Sequence, residues 1–430
     1  MDALRIEGGQ RLSGTIAVDG SKNAALPALA AAILAQDTFT LRGVPPLQDI
    51  QNMTHLLGEL GCAVQVDDRD ITIDTTDTSR VHAPYDIVRT MRASICVLGP
   101  LLAARGEARV AMPGGCAIGD RPVDLHLRGL EALGATVSLE GGDMVLRADT
   151  LKGATVFMGG PFGSTVLGTA NVLCAAVRAT GETIIESAAC EPEVAFLARL
   201  LRAMGADIEG EGTPRITVRG VERLSGVDID LMPDRIVAGT LAVASAITNG
   251  NVTLERFPMD HLLAVLDRLR ESGVHVEQLD STQSPDCCTV QITTDRRLRP
   301  ILFTTQPHPG FPTDLQAQVM SLLCLADGNS IVTEKIYPDR FLHVPELARM
   351  GATVIRLGAT VVVQGVDELV GAPVMASDLR GGAALVLAGL AAKGETLVRR
   401  IYHMDRGYTN LEVQLASLGA HIERVDGGPN

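Results

Sequence analysis

Charged residues interrupt this apolar chain at recurring places. Lys22 and Asn23 open one apolar stretch, Arg89 and Arg92 a second, Asp234 and Arg235 a fourth, Asp314 a fifth, and Asp378 and Arg380 a sixth. If each stretch is a helix, these residues sit at N-termini, where unpaired N–H groups and a partial positive charge favour anions. Equivalent ends gathered at one end of a globule would make a cationic mouth for phosphate and carboxylate. The three aspartates also suit plain N-caps, and Arg89 and Arg92 solvated helix starts. Recurrence in register across five stretches favours the functional reading.

A thiol stands in the most unusual loop. Between Met112 and His126 the chain carries Gly114, Gly115, Cys116, Gly119, Arg121, Pro122, Val123, Asp124 and Leu125. Three glycines around a cysteine predict a mobile loop rather than an element. A lone cysteine is more often a buried small hydrophobe. Exposed beside Arg121, however, the thiol would have a depressed pKa and act as nucleophile or acid.

The elements that must position these groups repeat. Six times an amphipathic helix ends in a phrase close to Leu-x-x-Leu/Met-Gly-Ala-x-Val/Ile, with glycines 61, 134, 205, 273, 351 and 419 at intervals of 73, 71, 68, 78 and 68 residues. A near-constant period of about 72 exceeds the solenoid range and points to a closed, domain-sized arrangement of copies. Each copy also carries an almost wholly apolar helix, predicted at 22–34, 89–103, 165–179, 234–247, 314–325 and 378–391, which must be buried on every side. Segments 5–14, 217–226 and 362–371 echo one another as an alternating strand, a glycine turn and a leucine leading into a second strand, and are read as hairpins. The result is an α/β chain of six β-α-β-α-β-β-type repeats, three per domain, with helices inside and sheets outside.

Composition narrows the function. The chain has 430 residues, 46% hydrophobic, with no tryptophan and 3% aromatics, so its cores must be aliphatic. A net charge of −14 argues against nucleic-acid or anionic-membrane surfaces. The longest early apolar run, 24–35, is too short to span a bilayer, and the start lacks a leader pattern, so a cytoplasmic protein is expected. Eight cysteines without zinc-like spacing read as free thiols.

Longer motifs carry a resemblance across essentially the whole chain: Gly20-Ser21-Lys22-Asn23, Arg89-Thr90-Met91-Arg92, the Cys116 loop through His126, Pro307 to Asp314, Asp339 to Leu347, and Ile401 to Tyr408. Together they resemble the UDP-N-acetylglucosamine 1-carboxyvinyltransferases of the enolpyruvyl transferase family. The resemblance implies a two-domain inside-out α/β barrel, with 1–21 plus 232–430 as one domain and 22–231 as the other. It implies transfer of the enolpyruvyl group of phosphoenolpyruvate to the 3-hydroxyl of UDP-N-acetylglucosamine with release of phosphate, the first committed step of peptidoglycan synthesis. No metal or organic cofactor is implied, and the partners are those two small molecules.

By the same resemblance, Lys22, Asn23, Arg121, Arg340, Arg380 and Arg406 hold phosphoenolpyruvate, as an anion with both phosphate and carboxylate requires. Asp314 is the base for the sugar hydroxyl, Cys116 the acid or covalent partner, and Lys22 and Arg406 share in catalysis. Arg121, Pro122, Val123, Asp124 and Leu125 hold uridine; Arg92, Ser164, Thr165 and Val166 the diphosphate; Asn23, Asp314 and Ile336 the amino sugar. Domain closure with the Cys116 loop as lid would exclude water from the intermediate. Gly163, Cys190 and Val237 depart from the family pattern, where a basic residue, Arg and Glu are common. Competing readings are a paralogue using another uridine nucleotide, a shikimate-3-phosphate enzyme, and a non-catalytic nucleotide-sugar-binding regulator.

Overall fold

The computed structural model describes residues 2–112, 123–161, 163–280, 282, 284–294 and 297–427. The thiol loop, with Cys116, Arg121 and Pro122, therefore lies outside the described residues. The described residues divide into two compact units, 2–19 with 233–427, and 20–112 with 123–232.

Six four-stranded sheets carry the repeat, and all six share one strand order. Within each β-α-β-α-β-β copy the spatial order is first, second, fourth, third. The sheet of Thr155–Phe157, Glu182–Glu186, Arg215–Arg219 and Asp207–Glu209 shows the pattern, its first pair parallel and the others antiparallel. A parallel first pair needs a crossover, and the buried helix supplies it. Two copies borrow their first strand from far along the chain. Ser13–Ala17 pairs with Asn251–Phe257 in the first unit, and Asp228–Asp230 with Phe39–Arg42 in the second.

This pairing corrects the hairpin expectation. Asp2–Glu7 lies between Glu395–Arg399 and His421–Asp426, whereas Ser13–Ala17 joins a different sheet. Likewise Arg215–Arg219 and Asp228–Asp230, and Thr360–Gln364 and Pro373–Met375, belong to separate sheets. The echoed segments are connectors from one copy to the next, pinned by the buried leucines Leu12, Leu224 and Leu369. Local alternation marks a strand but does not say which edge it joins.

The apolar helices run Lys22–Ala31, Leu98–Arg105 and Val166–Ala176 in the second unit, and Arg235–Ile247, Gln316–Leu323 and Leu379–Ala391 in the first. Each is buried along most of its length, Leu98–Arg105 as far as Leu102, and each unit has its own aliphatic core. The second helix begins later than expected: a 3-10 turn, Arg92–Val97, leads into it. Arg89 instead ends the short helix Tyr85–Val88, with a half-exposed side chain paired to Asp86 at 3.3 Å. All six phrase glycines adopt positive φ, from 81° to 109°. At five of them the amide two residues past the helix bonds back to the carbonyl five earlier, as Ala206 N does to Leu201 O at 2.9 Å, so the glycine is a helix stop with a left-handed cap.

Candidate active site

In the first unit, Asp314 sits inside the 3-10 turn Thr313–Leu315 that enters a buried helix, and the N-cap positions of turn and helix are held by Pro312 and Leu315. Its Oδ1 accepts from Arg340 Nη1 at 2.7 Å and its Oδ2 from Arg380 Nη2 at 3.2 Å. Arg340 and Arg380 are only 5% and 3% exposed. Burial alone would push the Arg380 guanidinium down, yet Asp314, Tyr408 and Asp234 hold it above its usual value. Asp234 and Asp378 are true N-caps, accepting from Ile236 N and Val237 N at 2.8 and 3.0 Å, and from Arg380 N and Gly381 N at 2.9 and 3.1 Å. The capping reading thus holds for these two aspartates and fails for Asp314. The starts of three buried helices meet here, as rotation of the repeats requires.

Supporting groups surround that carboxylate, and the sequence did not single them out. Glu334 is fully buried; its Oε1 accepts from Thr305 Oγ1, Ile336 N and Tyr337 N at 2.7, 2.8 and 3.0 Å, and its Oε2 from Thr313 Oγ1 at 2.9 Å. It therefore fixes the backbone of Ile336 and the hydroxyl that receives Arg340 Nη1 at 3.0 Å. Gln318 Nε2 donates to the Asp314 carbonyl at 2.9 Å and lies 3.2 Å from the Tyr408 hydroxyl, whose ring is 5.5 Å from the Arg380 guanidinium. A glutamate just past an alternating strand was the available signal for Glu334, since a charge at full burial must be paired or multiply hydrogen-bonded.

Arg340 Nε and Arg380 Nη1 are buried without a hydrogen-bond partner among the described residues. Buried donors of this kind are costly unless an acceptor meets them, and an oxyanion is the natural one. Arg406 lies in the turn after Ile401–His403, half-buried. The neighbouring His403 is pushed down by burial and by Arg406 and Arg400, against the pull of Asp378, which puts this turn beside the start of the Leu379–Ala391 helix.

In the second unit, Lys22 is the first residue of a buried helix capped by Ser21, and its Nζ lies 3.1 Å from Asp49 Oδ2, both groups buried. Asn23 follows it, half-buried. Thr165 caps Val166–Ala176 through Gly168 N at 3.2 Å, and Ser164 ends the two-stranded ribbon Gly159–Gly160 with Gly163–Ser164. Val123, Asp124 and Leu125 open the helix Asp124–Ala132. That helix reaches the same ribbon, because a Cβ on Gly160 would meet Leu125 Cδ1 at 3.1 Å. Arg92 acts on His126, whose ring is pushed down to about 4 by burial and by Arg92 against the pull of Asp124. Of the residues expected at uridine and diphosphate, Arg92, Val123 to Leu125 and Ser164 to Val166 thus share one neighbourhood, while Arg121 and Pro122 lie outside the described residues. Of the departures, Gly163 adopts φ 105°, Val237 is core, and the half-buried Cys190 thiol is pushed up by burial and Glu191.

Among the described residues, no group of three or more His, Cys, Asp or Glu is placed to hold a metal, and no helix is long and apolar enough to cross a membrane. The family model for EPSP synthase (3-phosphoshikimate 1-carboxyvinyltransferase) matches residues 6–415. A UDP-N-acetylglucosamine 1-carboxyvinyltransferase of Nitratidesulfovibrio vulgaris (strain DP4) is 53% identical over 427 residues, with 99% of each chain covered. One of Magnetococcus marinus is 49% identical, covering 99% of this chain and 100% of its own. Among solved structures, the enolpyruvyl transferase NikO from Streptomyces tendae superposes with a TM-score of 0.87 at 27% identity over 99% of each chain. EPSP synthase from Acinetobacter baumannii shares the fold, with a TM-score of 0.79 at 19% identity, over 99% of this chain and 100% of its own. The sixfold sheet order, the buried arginine pair on Asp314 and these full-length likenesses agree, and the chain belongs to the enolpyruvyl transferase family, in the company of its UDP-N-acetylglucosamine 1-carboxyvinyltransferases.

Proposed function

We propose that this protein transfers the enolpyruvyl group of phosphoenolpyruvate to the 3-hydroxyl of UDP-N-acetylglucosamine, releasing phosphate, as a cytoplasmic step of peptidoglycan synthesis. The observation that carries the reading is the full-length identity of about one half to relatives bearing that activity in their names. The buried arginine pair with unspent N–H groups beside Asp314 supports it independently. Lys22, Asn23, Arg121, Arg340, Arg380 and Arg406 are the proposed contacts of phosphoenolpyruvate. Arg92, Arg121 to Leu125, Ser164 to Val166, Asn23, Asp314 and Ile336 are those of the nucleotide sugar.

The chemistry follows from what such groups can do. Guanidinium and ammonium groups neutralise the phosphate as it departs. Asp314 takes the proton of the attacking hydroxyl. Cys116 delivers a proton to the methylene carbon, or adds covalently to the carbon beside it once that proton is in place; the resulting methyl group loses a proton again as phosphate leaves, which restores the enol double bond, and Lys22 and Arg406 steady the transferring group. The unit 1–21 with 232–430 supplies Asp314 and its arginines, and 22–231 supplies Lys22, Arg92 and the thiol loop. Phosphate release from phosphoenolpyruvate, measured against UDP-N-acetylglucosamine, UMP and shikimate 3-phosphate, tests the reading. Turnover with shikimate 3-phosphate and none with the nucleotide sugar would overturn it.

A further inference from the structure

Asn171 lies in the middle of the Val166–Ala176 helix and is fully buried. Its Oδ1 accepts from Gly99 N at 2.8 Å, and its Nδ2 donates to Ile95 O at 2.9 Å and contacts His126 Nδ1 at 2.9 Å. A backbone N–H can only donate and a carbonyl can only accept, so the two main-chain partners fix which end of the amide is which. The second Nδ2 proton then points at His126, whose Nδ1 must accept it. The contact is made possible by Gly99, where any Cβ would come within 2.1 Å of the Asn171 carbonyl oxygen.

We propose that Asn171 is a positioning residue for the nucleotide end of the site: it locks His126 as the neutral imidazole with its proton on Nε2, and ties the turn that begins at Arg92 to the helix that begins at Asp124. The proposal rests on the reading of Arg92 and residues 123–125 as nucleotide contacts. Three segments carrying those contacts, Arg92–Val97, Asp124–Ala132 and Val166–Ala176, converge on this one amide. Protonating His126 on Nδ1 would set N–H against N–H, which agrees with the depressed basicity of the ring. The charged groups acting on the ring are Arg92 from the turn and Asp124 from its own helix. Otherwise Val166–Ala176 brings only Cys174, the turn Cys96, and Leu98–Arg105 its terminal Arg105 as titratable side chains.

The test pairs a spectroscopic readout with kinetics on the full chain. Histidine 15N spectra of the wild type should show His126 with a bare Nδ1 and a protonated Nε2, unchanged from about pH 8 to about pH 5.5, where an ordinary imidazole titrates. Asn171→Asp turns the donor into an acceptor. It should move the proton to Nδ1, make His126 titrate within that range, and raise KM for UDP-N-acetylglucosamine about tenfold or more, as displaced contacts do. KM for phosphoenolpyruvate should change little. Asn171→Ser, which removes the hub without adding charge, should give the same split between the two KM values if Asn171→Asp does not fold. A wild-type His126 that titrates near 6.5 or carries its proton on Nδ1 overturns the proposal, as do folded variants that raise both KM values alike. If the wild type does not use UDP-N-acetylglucosamine, the functional reading fails and the tautomer alone decides this one.

Discussion

Replacing Asp314 with asparagine separates its chemical role from its structural one. The carboxylate accepts one charge-assisted bond from each of two buried guanidiniums, at 2.7 and 3.2 Å. Asparagine keeps the shape and one acceptor, but its NH2 faces the other guanidinium, so one bond is lost and the survivor loses its anionic partner. A charged hydrogen bond contributes about 1.5–3 kcal/mol and a neutral one about 1, which makes the loss roughly 3 kcal/mol. In a unit of roughly two hundred residues each kcal/mol moves Tm by about 2–4 °C, so Asp314→Asn should melt about 6–12 °C lower. As a missing general base it should also cut kcat by about 10²- to 10⁴-fold. Calorimetry should find the Kd of UDP-N-acetylglucosamine within about threefold of the wild type, because the asparagine amide still offers the sugar hydroxyl a hydrogen bond in the ground state. Alanine is a poorer probe: it strips both buried cations of their anion, where about 3–5 kcal/mol is typical. A folded Asp314→Asn with kcat within tenfold of the wild type would refute the base and leave only a clamp for two arginines.

The glycine phrase gives a graded series. At Gly205 and Gly351 a Cβ meets nothing within 4 Å, so alanine should cost only the left-handed penalty of about 1–2 kcal/mol; at Gly61 it would lie 2.2 Å from Asp77 O and should cost clearly more. Equal losses in thermal unfolding across the three would show that the caps are not what fixes these positions. His126 is held neutral in the fold, so the unfolded chain binds the extra proton between its ordinary value near 6.5 and about 4. Stability is therefore full above that upper value and falls as pH drops through the window, by up to about 1.4 kcal/mol per pH unit, with the depressed, buried His343 adding in the same direction. His126→Gln should flatten part of this slope in chemical denaturation at stepped pH; an unchanged slope counts against it. Cys116→Ala should lose most turnover, and the wild-type thiol should be alkylated by fosfomycin faster with UDP-N-acetylglucosamine bound. Mass spectrometry that finds Cys116 unmodified and the rate intact would remove its role.

Much of this architecture is legible in one chain because duplication writes the same physical demands six times. Helices apolar on every side and glycines forced to positive φ leave local marks, and both stand where periodicity put them, apart from the late start of Leu98–Arg105. Strand partnership leaves none: the echoed segments alternate equally well as hairpins or as bridges between sheets, and long-range pairing decides. Arg89 was misplaced because a 3-10 turn breaks the helical period before Leu98. At the site, Asp314 and Arg380 stood out as charges against an apolar background, whereas Arg340 and Arg406 came with the family resemblance. Glu334 and Asn171 did not, since their importance lies in carbonyls and amides supplied by distant backbone, which no side-chain pattern records.

The borrowed strands set an order of events during synthesis. Residues 2–17 leave the ribosome before all of their sheet neighbours, Asn251–Phe257, Glu395–Arg399 and His421–Asp426. The stretch from Gly20 to Met232, by contrast, contains every strand its own sheets need, Asp228–Asp230 completing the set. It can close while the leading segment still waits, holding exposed edge strands that invite wrong partners. Nascent chains stalled once residue 232 has cleared the exit tunnel should therefore resist protease from residue 20 onward and be trimmed before it. Protection of 2–17 at that stage would mean that these strands find a temporary partner.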